Sequence, residues 1–223
     1  MPAIIRKRFG LLGRNLSYSF SKGYFTEKFS IENCTGCSYE NFDIQEIDSF
    51  TEVIKNSIDL KGLNVTIPYK EAVMPYLDKV SKKAALIGAV NTIKITKKGK
   101  LKGYNTDYYG FKKALEPLLQ SHHKKALILG TGGASKGVAF ALDELSIAYS
   151  FVSRKAIANA IDYNHIDAKT FDNHHIIVNA TPVGTSPNTE AFPLIPYEFF
   201  TAKHIAFDLI YNPAETQFLK KAK

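Results

Sequence analysis

No apolar run in this 223-residue chain approaches the roughly 20 residues needed to cross a bilayer, so a membrane-spanning helix is not expected. The start, Met1-Pro-Ala-Ile-Ile-Arg-Lys-Arg-Phe9, lacks the long apolar stretch and cleavage signal of a secretory leader. The expected setting is therefore the cytoplasm, without a membrane partner. Cysteine is scarce: the two present, Cys34 and Cys37, form one Cys-Thr-Gly-Cys segment. A structural zinc needs two more ligands at suitable spacing, and thioredoxin chemistry needs the pair to open a helix. Neither context is present, so two reduced loop thiols and no metal are expected. The doublets His122-His123 and His174-His175 likewise lack metal-ligand partners; they read as a linker and the lead-in to a strand. Acids are outnumbered, 21 Asp and Glu against 29 Lys and Arg, for a net charge of +8. The bases are spread along the chain, with no basic helix, zinc-finger spacing or aromatic stacking platform, which argues against nucleic acid as a partner. Anionic small ligands account for a basic surface equally well.

What is present is organised around Ala126-Leu-Ile-Leu-Gly-Thr-Gly-Gly-Ala-Ser135. Four apolar residues, Ala126 to Leu129, have the length and bulk of a buried parallel strand. The strand breaks at Gly130-Thr-Gly-Gly133, where glycine permits a tight turn and close approach of a ligand to the backbone. Val138, Ala141, Leu142 and Leu145 then recur at helical spacing. Strand, glycine turn and helix together form the context of a dinucleotide site, with free amides at the helix start available to a pyrophosphate. An ordinary glycine-rich turn gives the same pattern. The next predicted strand, Ala148 to Ser153, ends in Ser153-Arg154-Lys155. An NAD-preferring fold places an acid there for the ribose 2′-hydroxyl. Two cations favour a 2′-phosphate instead, and hence NADP.

Upstream, Arg8 to Gly13 reads as a first strand. In Ser17-Tyr-Ser-Phe-Ser21 an extended backbone would project Ser17, Ser19 and Ser21 to one side, suiting a polyhydroxylated or carboxylate ligand. Equally, one of these serines caps a helix from Lys22 to Phe29. A helix opening at Asp48 carries Phe50, Val53, Ile54 and Ile58 on one stripe. In Gly62-Leu-Asn-Val-Thr-Ile-Pro68 the apolar Leu63, Val65 and Ile67 face one way, and Asn64 and Thr66 the other. Lys70 opens a short helix through Leu77, where the dipole disfavours an ammonium; that suits an acid or base, although a solvated surface lysine is the plainer reading. A helix from Ser81 to Ile87 leads through Gly88-Ala-Val-Asn-Thr92 into a hairpin turned by Lys97-Lys-Gly-Lys100. Asp107 follows its return arm and either caps the next helix or serves a ligand. Two further strands, Ile176 to Thr181 and Ile205 to Tyr211, end in polar residues, where ligands of open α/β sheets sit. Asn212-Pro-Ala-Glu215 has the form of a helix start.

Ser19-Phe-Ser21, Asn64-Val-Thr-Ile-Pro-Tyr-Lys70, Gly88-Ala-Val-Asn-Thr92, Asn105-Thr-Asp107, Gly130-Thr-Gly-Gly-Ala-Ser135 and Asn179-Ala-Thr181 strongly resemble the shikimate dehydrogenase family, in its order and at compatible spacing. The resemblance implies an α/β protein: an N-terminal mixed-sheet substrate domain, residues 1–106, and a C-terminal Rossmann-type NADP-binding domain, residues 107–223, with the site in the cleft between them. It implies NADPH-dependent reduction of 3-dehydroshikimate to shikimate in aromatic amino-acid biosynthesis. Lys70 and Asp107 match the family's catalytic pair, and Ser19, Ser21, Thr66, Asn91 and Tyr211 its substrate contacts. Gly130, Gly132, Gly133, Ala134 and Ser135 match the pyrophosphate loop, with Thr181 also on the cofactor side. Ser153, Arg154 and Lys155 occupy the segment that grips the 2′-phosphate.

The chemistry fits these residues. Hydride delivery to a ketone builds negative charge on its oxygen, which a nearby donor must neutralise. Lys70 can give that proton while Asp107 orients it and accepts a bond from a ring hydroxyl. The pattern departs from the family at Gly13-Arg-Asn-Leu16, where Asn or Tyr and Pro are usual. Members also continue for some tens of residues beyond the position of Lys220-Lys-Ala-Lys223, with a glycine-rich loop and a substrate-binding glutamine. The alternatives are a quinate/shikimate dehydrogenase using NAD and a truncated paralogue that binds NADP or a metabolite without turnover. The sequence leaves monomer and homodimer open.

Overall fold

The computed structural model describes residues 7–155 and 160–223; the amino-terminal residues 1–6 read above lie outside the described residues. The chain divides into two compact units, the first ending at Thr106 and the second starting at Asp107. No helix among the described residues is long and apolar enough to cross a membrane.

The first unit runs β1 (Lys7–Gly13), α1 (Phe20–Ile31), β2 (Cys37–Asp43), α2 (Phe50–Lys55), β3 (Leu60–Val65), α3 (Tyr69–Ala72), β4 (Lys79–Val80), α4 (Lys82–Ile87), β5 (Thr92–Ile95) and β6 (Leu101–Tyr104). Its sheet is mixed, in the order β2-β1-β3-β5-β6-β4. β1 pairs in parallel with β2 and β3, whereas β5 is antiparallel to both β3 and β6. Side chains alternate across a strand, and in β1 this sends Leu12 into a core with Phe50, Leu63, Val65 and Ile93. Leu11 joins a second cluster with Leu16 and Tyr39, against which Phe25 and Phe29 of α1 pack.

The second unit runs α5 (Asp107–Leu115), β7 (Lys125–Leu129), α6 (Gly133–Glu144), β8 (Ala148–Ser153), β9 (Ala160–Asp162), α7 (Ala168–Asn173), β10 (Ile176–Asn179), β11 (Ile205–Asp208) and α8 (Gln217–Lys221). The sheet, ordered β11-β10-β7-β8-β9, is parallel throughout. Helices cover both its faces, which is why β7 and β10 read as unbroken apolar runs. Ala126 and Ile128 pack with Phe111, Val138 and Leu142 on one face. Leu127 and Leu129 pack with Phe171 and Phe218 on the other. Each such aliphatic side chain, fully buried, stabilises the fold by about 1.5–3 kcal/mol.

Several sequence expectations are corrected. Ser17 to Ser21 are not extended: Leu16–Tyr18 form a 3-10 turn and α1 begins at Phe20, so the three serines do not share one face of a strand. The helix after Asp48 ends at Lys55, and Ile58 beyond it is 95% exposed. β3 stops at Val65, leaving Ile67 50% exposed before a cis bond to Pro68. Asn212 does not start a helix; its bond to Pro213 is cis, and α8 is capped by Thr216. Cys34 and Cys37 are joined as a disulfide rather than held as separate thiols. Gly36, at φ 80°, turns the chain so that the two Cα atoms stand 5.7 Å apart, within bridging range.

At the amino ends of β7, β10 and β11 the histidines gather. The rings of His122 and His123 are 4.1 Å apart, His122 and His175 5.3 Å, and His175 and His204 5.4 Å. His122 Nε2 and His123 Nε2 each lie 3.1 Å from the Lys203 carbonyl, which can only accept. The second nitrogen of His123 is also committed, since its Nδ1 accepts from Gln120 N–H at 2.8 Å. His204 has the same arrangement: Nδ1 accepts from Thr201 N–H at 3.1 Å and Nε2 faces the Phe171 carbonyl at 3.2 Å. The His123 ring must be neutral to keep both of its bonds. Burial, then the neighbouring imidazoles, pushes the His175 pKa down; in His123 burial is again the largest cause, and in His174 burial then Lys125. As pH falls through the unfolded value of 6.5, the unfolded chain takes up protons that the folded chain resists. Stability is therefore full above that pH and declines below it. Urea midpoints should hold level above about pH 7 and fall as pH drops through 6.5 towards about 5.5, a range above that in which ordinary carboxylates titrate; a flat profile would contradict this account.

Candidate active site

In the first unit, two loops are pinned by side chains from neighbouring strands. Asp43, at the end of β2, accepts from Asn15 N–H at 2.9 Å and Leu16 N–H at 2.7 Å. This holds the 3-10 turn and delivers Ser19 to the start of α1. Ser19 Oγ is buried and has no hydrogen-bond partner among the described residues. A buried hydroxyl in that state is costly, and a ligand oxygen would relieve it. An open groove of about 710 Å³ runs along α1, lined by Ser17, Ser19, Lys22, Thr26 and Asn41 among others. Ser21, Thr66, Lys70 and Asn91 are not on its lining. The groove therefore does not coincide with the other residues matched to the family's chemistry.

Lys70 and Asn91 meet instead at the loop between α4 and β5, next to the end of β3 that leads to Thr66, while Ser21 lies in the first turn of α1. Asn91 is buried, with its backbone bonded to both flanking strands: Val65 N–H donates to Asn91 O at 2.7 Å, and Asn91 N–H donates to Tyr104 O at 3.0 Å. The Asn91 side chain holds Thr106, accepting from its N–H at 2.9 Å and donating to its Oγ1 at 2.9 Å. Asn105 donates to Ala89 O at 3.0 Å, and Val90 N–H to Lys70 O at 2.7 Å. The loop thus fixes the backbone of Lys70 and the residue immediately before Asp107. Lys70 is the second residue of α3, which ends at Ala72 and gives way to a 3-10 turn over Met74–Tyr76. Thr66 precedes α3 and is held by a bond from its N–H to Leu12 O at 2.9 Å. Gly13 must be glycine here, because a Cβ would stand 2.6 Å from Thr66 Cγ2.

In the second unit the candidate residues lie at the carboxyl ends of the strands. Gly130 leaves β7 at φ +102°, and its missing side chain admits Thr181, whose Cγ2 would be 3.0 Å from a Cβ. Gly132 precedes α6, with Gly133 and Ala134 in its first turn. The backbone amides of a helix start are an anion site. Ser135 is fully buried and donates its hydroxyl to Gly132 O at 2.6 Å, so it shapes the turn from within. At the end of β8, Ser153 is buried and its Oγ accepts from Lys155 N–H at 3.1 Å, while Arg154 and Lys155 are exposed. The glycine turn, helix start and cations suit a phosphorylated dinucleotide.

Across β10 and β11 runs a polar network. Asn179, fully buried, accepts at Oδ1 from Thr181 N–H (3.1 Å) and Thr181 Oγ1 (2.7 Å). Its Nδ2 donates to both oxygens of Asp208, at 3.1 and 3.2 Å. Asp208 also accepts from Ile210 N–H at 2.9 Å and from Thr216 Oγ1 at 2.6 Å. Burial pushes the Asp208 carboxyl pKa up, against the bonds from Thr216, Ile210 and Asn179 that pull it down. Tyr211, 66% exposed, sits on the loop this network closes. Asp208 has no role in the sequence motifs; an acid ending a buried strand was the one signal of it.

Known proteins resemble this chain along nearly its whole length. Residues 11–93 match the family model described as shikimate dehydrogenase substrate binding domain. The shikimate dehydrogenase (NADP(+)) of Methanosphaera stadtmanae is 36% identical, covering 96% of this chain and 81% of that protein. Among solved structures, shikimate dehydrogenase 1 from Peptoclostridium difficile aligns with a TM-score of 0.81 and 37% identity, over 97% of this chain and 81% of that one. Shikimate 5-dehydrogenase from Thermus thermophilus, in complex with NADP(H) and shikimate, aligns with a TM-score of 0.81 and 33% identity, over 97% of this chain and 83% of that one. With kinship of this depth over both sheets, the chain belongs to the shikimate dehydrogenase family and is an oxidoreductase.

Proposed function

We propose that this protein reduces 3-dehydroshikimate to shikimate with NADPH, as the NADP-dependent members of its family do. The observation that carries this reading is the Gly88–Thr92 loop, which bonds the Lys70 carbonyl through Val90 and grips Thr106, the residue before Asp107, through Asn91. Residues of the family's catalytic types stand at both positions, Lys70 on a backbone that the loop bonds and Asp107 immediately after the residue that it grips. A surface lysine and a helix-capping acid have no need of such shared anchoring.

NADPH, when bound, supplies the hydride to the ketone carbon. Lys70 supplies the proton to the oxygen as charge builds there, and Asp107 orients the ammonium and accepts a hydrogen bond from a ring hydroxyl. Ser19, with its unpartnered hydroxyl, binds the substrate together with Ser21, Thr66, Asn91 and Tyr211. The amides following Gly130, Gly132, Gly133 and Ala134 face the pyrophosphate, and Arg154 with Lys155 the 2′-phosphate. Thr181 lies on the cofactor side. Residues 1–106 thus supply most of the substrate contacts, joined by Asp107 and Tyr211, and residues 107–223 bind the cofactor.

Lys70→Ala should remove most of kcat with a modest change in KM, read from NADPH formation on adding shikimate and NADP⁺. Turnover within about threefold of wild type, less than about 1 kcal/mol of barrier, would show the assignment to be wrong. Arg154→Ala should raise KM for NADP⁺ by about tenfold or more while leaving that for NAD⁺ unchanged, because a charge-assisted bond to the phosphate is lost. Equal effects on both cofactors would place Arg154 away from the 2′ position. Parallel assays with quinate decide between this reading and a broader quinate/shikimate dehydrogenase.

A further inference from the structure

Asp208 is a half-buried acceptor that no motif uses, and its four bonds reach two separate loops. Ile210 N–H and Thr216 Oγ1 come from the two ends of the segment that carries Tyr211. Asn179 Nδ2 comes from β10, and the other end of that amide holds the N–H and hydroxyl of Thr181. The two loops also touch directly, since Ser186 N–H donates to Asn212 O at 3.1 Å. Gly184 between them, at φ +100°, has no room for a side chain, with the Ala191 carbonyl 2.9 Å from a Cβ. Among the described residues no lysine, arginine or histidine forms an ion pair with Asp208. Its donors are Asn179, at the end of β10, and two groups of the Tyr211 loop.

We propose that Asp208 is a positioning residue that sets the Tyr211 loop and, through Asn179, the Thr181 loop, coupling the substrate and cofactor subsites. This rests on the function proposed above. The chemistry of the bonds gives the reason. A carboxylate accepts from all its neighbours at once, whereas an amide in its place presents one donor edge. Asn179 Nδ2 would then meet an N–H₂ group on one oxygen position. Turning its amide over to escape that clash would point an N–H₂ group at Thr181 N–H. An Asp208→Asn change is therefore transmitted to a loop that Asp208 does not touch.

The test uses the full-length protein and measures steady-state turnover of shikimate with NADP⁺ and, separately, NADP⁺ binding without substrate. Asp208→Asn should raise KM for shikimate and Kd for NADP⁺ by about fivefold or more each, with kcat at saturation kept within about threefold. Thr216→Val removes the bond to Asp208 from the far end of the Tyr211 segment, together with the α8 cap to Leu219 N–H, and leaves the Asn179 bonds to Asp208 and Thr181 in place. It should raise KM for shikimate and leave Kd for NADP⁺ unchanged, and it keeps the test alive if Asp208→Asn does not fold. A lowered melting temperature with both constants unchanged would make Asp208 a purely structural residue and overturn the proposal. So would a Thr216→Val enzyme whose two constants rise together. A wild-type protein that binds NADP⁺ but does not oxidise shikimate would sink the proposed function instead, and the binding measurement would still decide the arm to Thr181.

Discussion

Asn179 is a primary amide with no solvent exposure, at the last position of a strand whose other side chains are aliphatic. Burying such a group without partners costs several kcal/mol, so its position is tolerable only if the chain around it supplies donors and acceptors. The loops after β10 and β11 do this, and in doing so they take up defined shapes. The glycine turn after β7 is drawn into the same arrangement, because Gly130 packs against Thr181 and Ala180 N–H donates to Leu129 O at 3.0 Å. Three loops at the carboxyl edge of one sheet thus depend on satisfying one side chain.

The first unit uses the same device with a different asparagine. Asn91 is buried at the junction of β3, β5 and β6, where its backbone closes both flanking ladders and its amide captures Thr106. A short, rigid amide carries a donor and an acceptor at fixed separation, so it can tie two backbone segments in a single orientation. In the first unit the backbone of Lys70 is bonded to the loop that carries Asn91, and in the second Thr181 is bonded to Asn179. Rigid support of this kind is what hydride transfer requires, since small displacements of a reacting group are expensive. The histidines lie at the opposite, amino edge of the second sheet, where their protonation bears on stability.

Much of this was legible because hydrophobic periodicity and glycine placement are local signals. Ala126 to Leu129 followed by Gly130 could hardly be anything but a buried strand and a turn, and the structure places β7 and α6 there. The hairpin at Lys97 to Lys100 and the helix from about Ser81 to Ile87 were equally local. The failures were also physical. The alternating serines have a strand's period, but Asp43 captures the backbone of Asn15 and Leu16 and starts a turn that no pattern within the segment reveals. Proline after Asn212 has the form of a helix start, yet the half-buried Asp208 bonds Thr216, which caps the helix four residues later.

The amino-acid sequence by itself determined the two α/β units, the strands buried on both faces, the glycine turn and the identity of the residues that resemble the family's site. Each follows from side-chain volume, backbone freedom or a local order of residue types. Only the tertiary structure decided which polar groups hold which loops: Asn91 with Thr106, Asn179 with Asp208, and the imidazoles around the Lys203 and Phe171 carbonyls. Those pairings join residues far apart in the chain, and they form because a polar group enclosed by apolar packing must find its partner wherever the fold brings one.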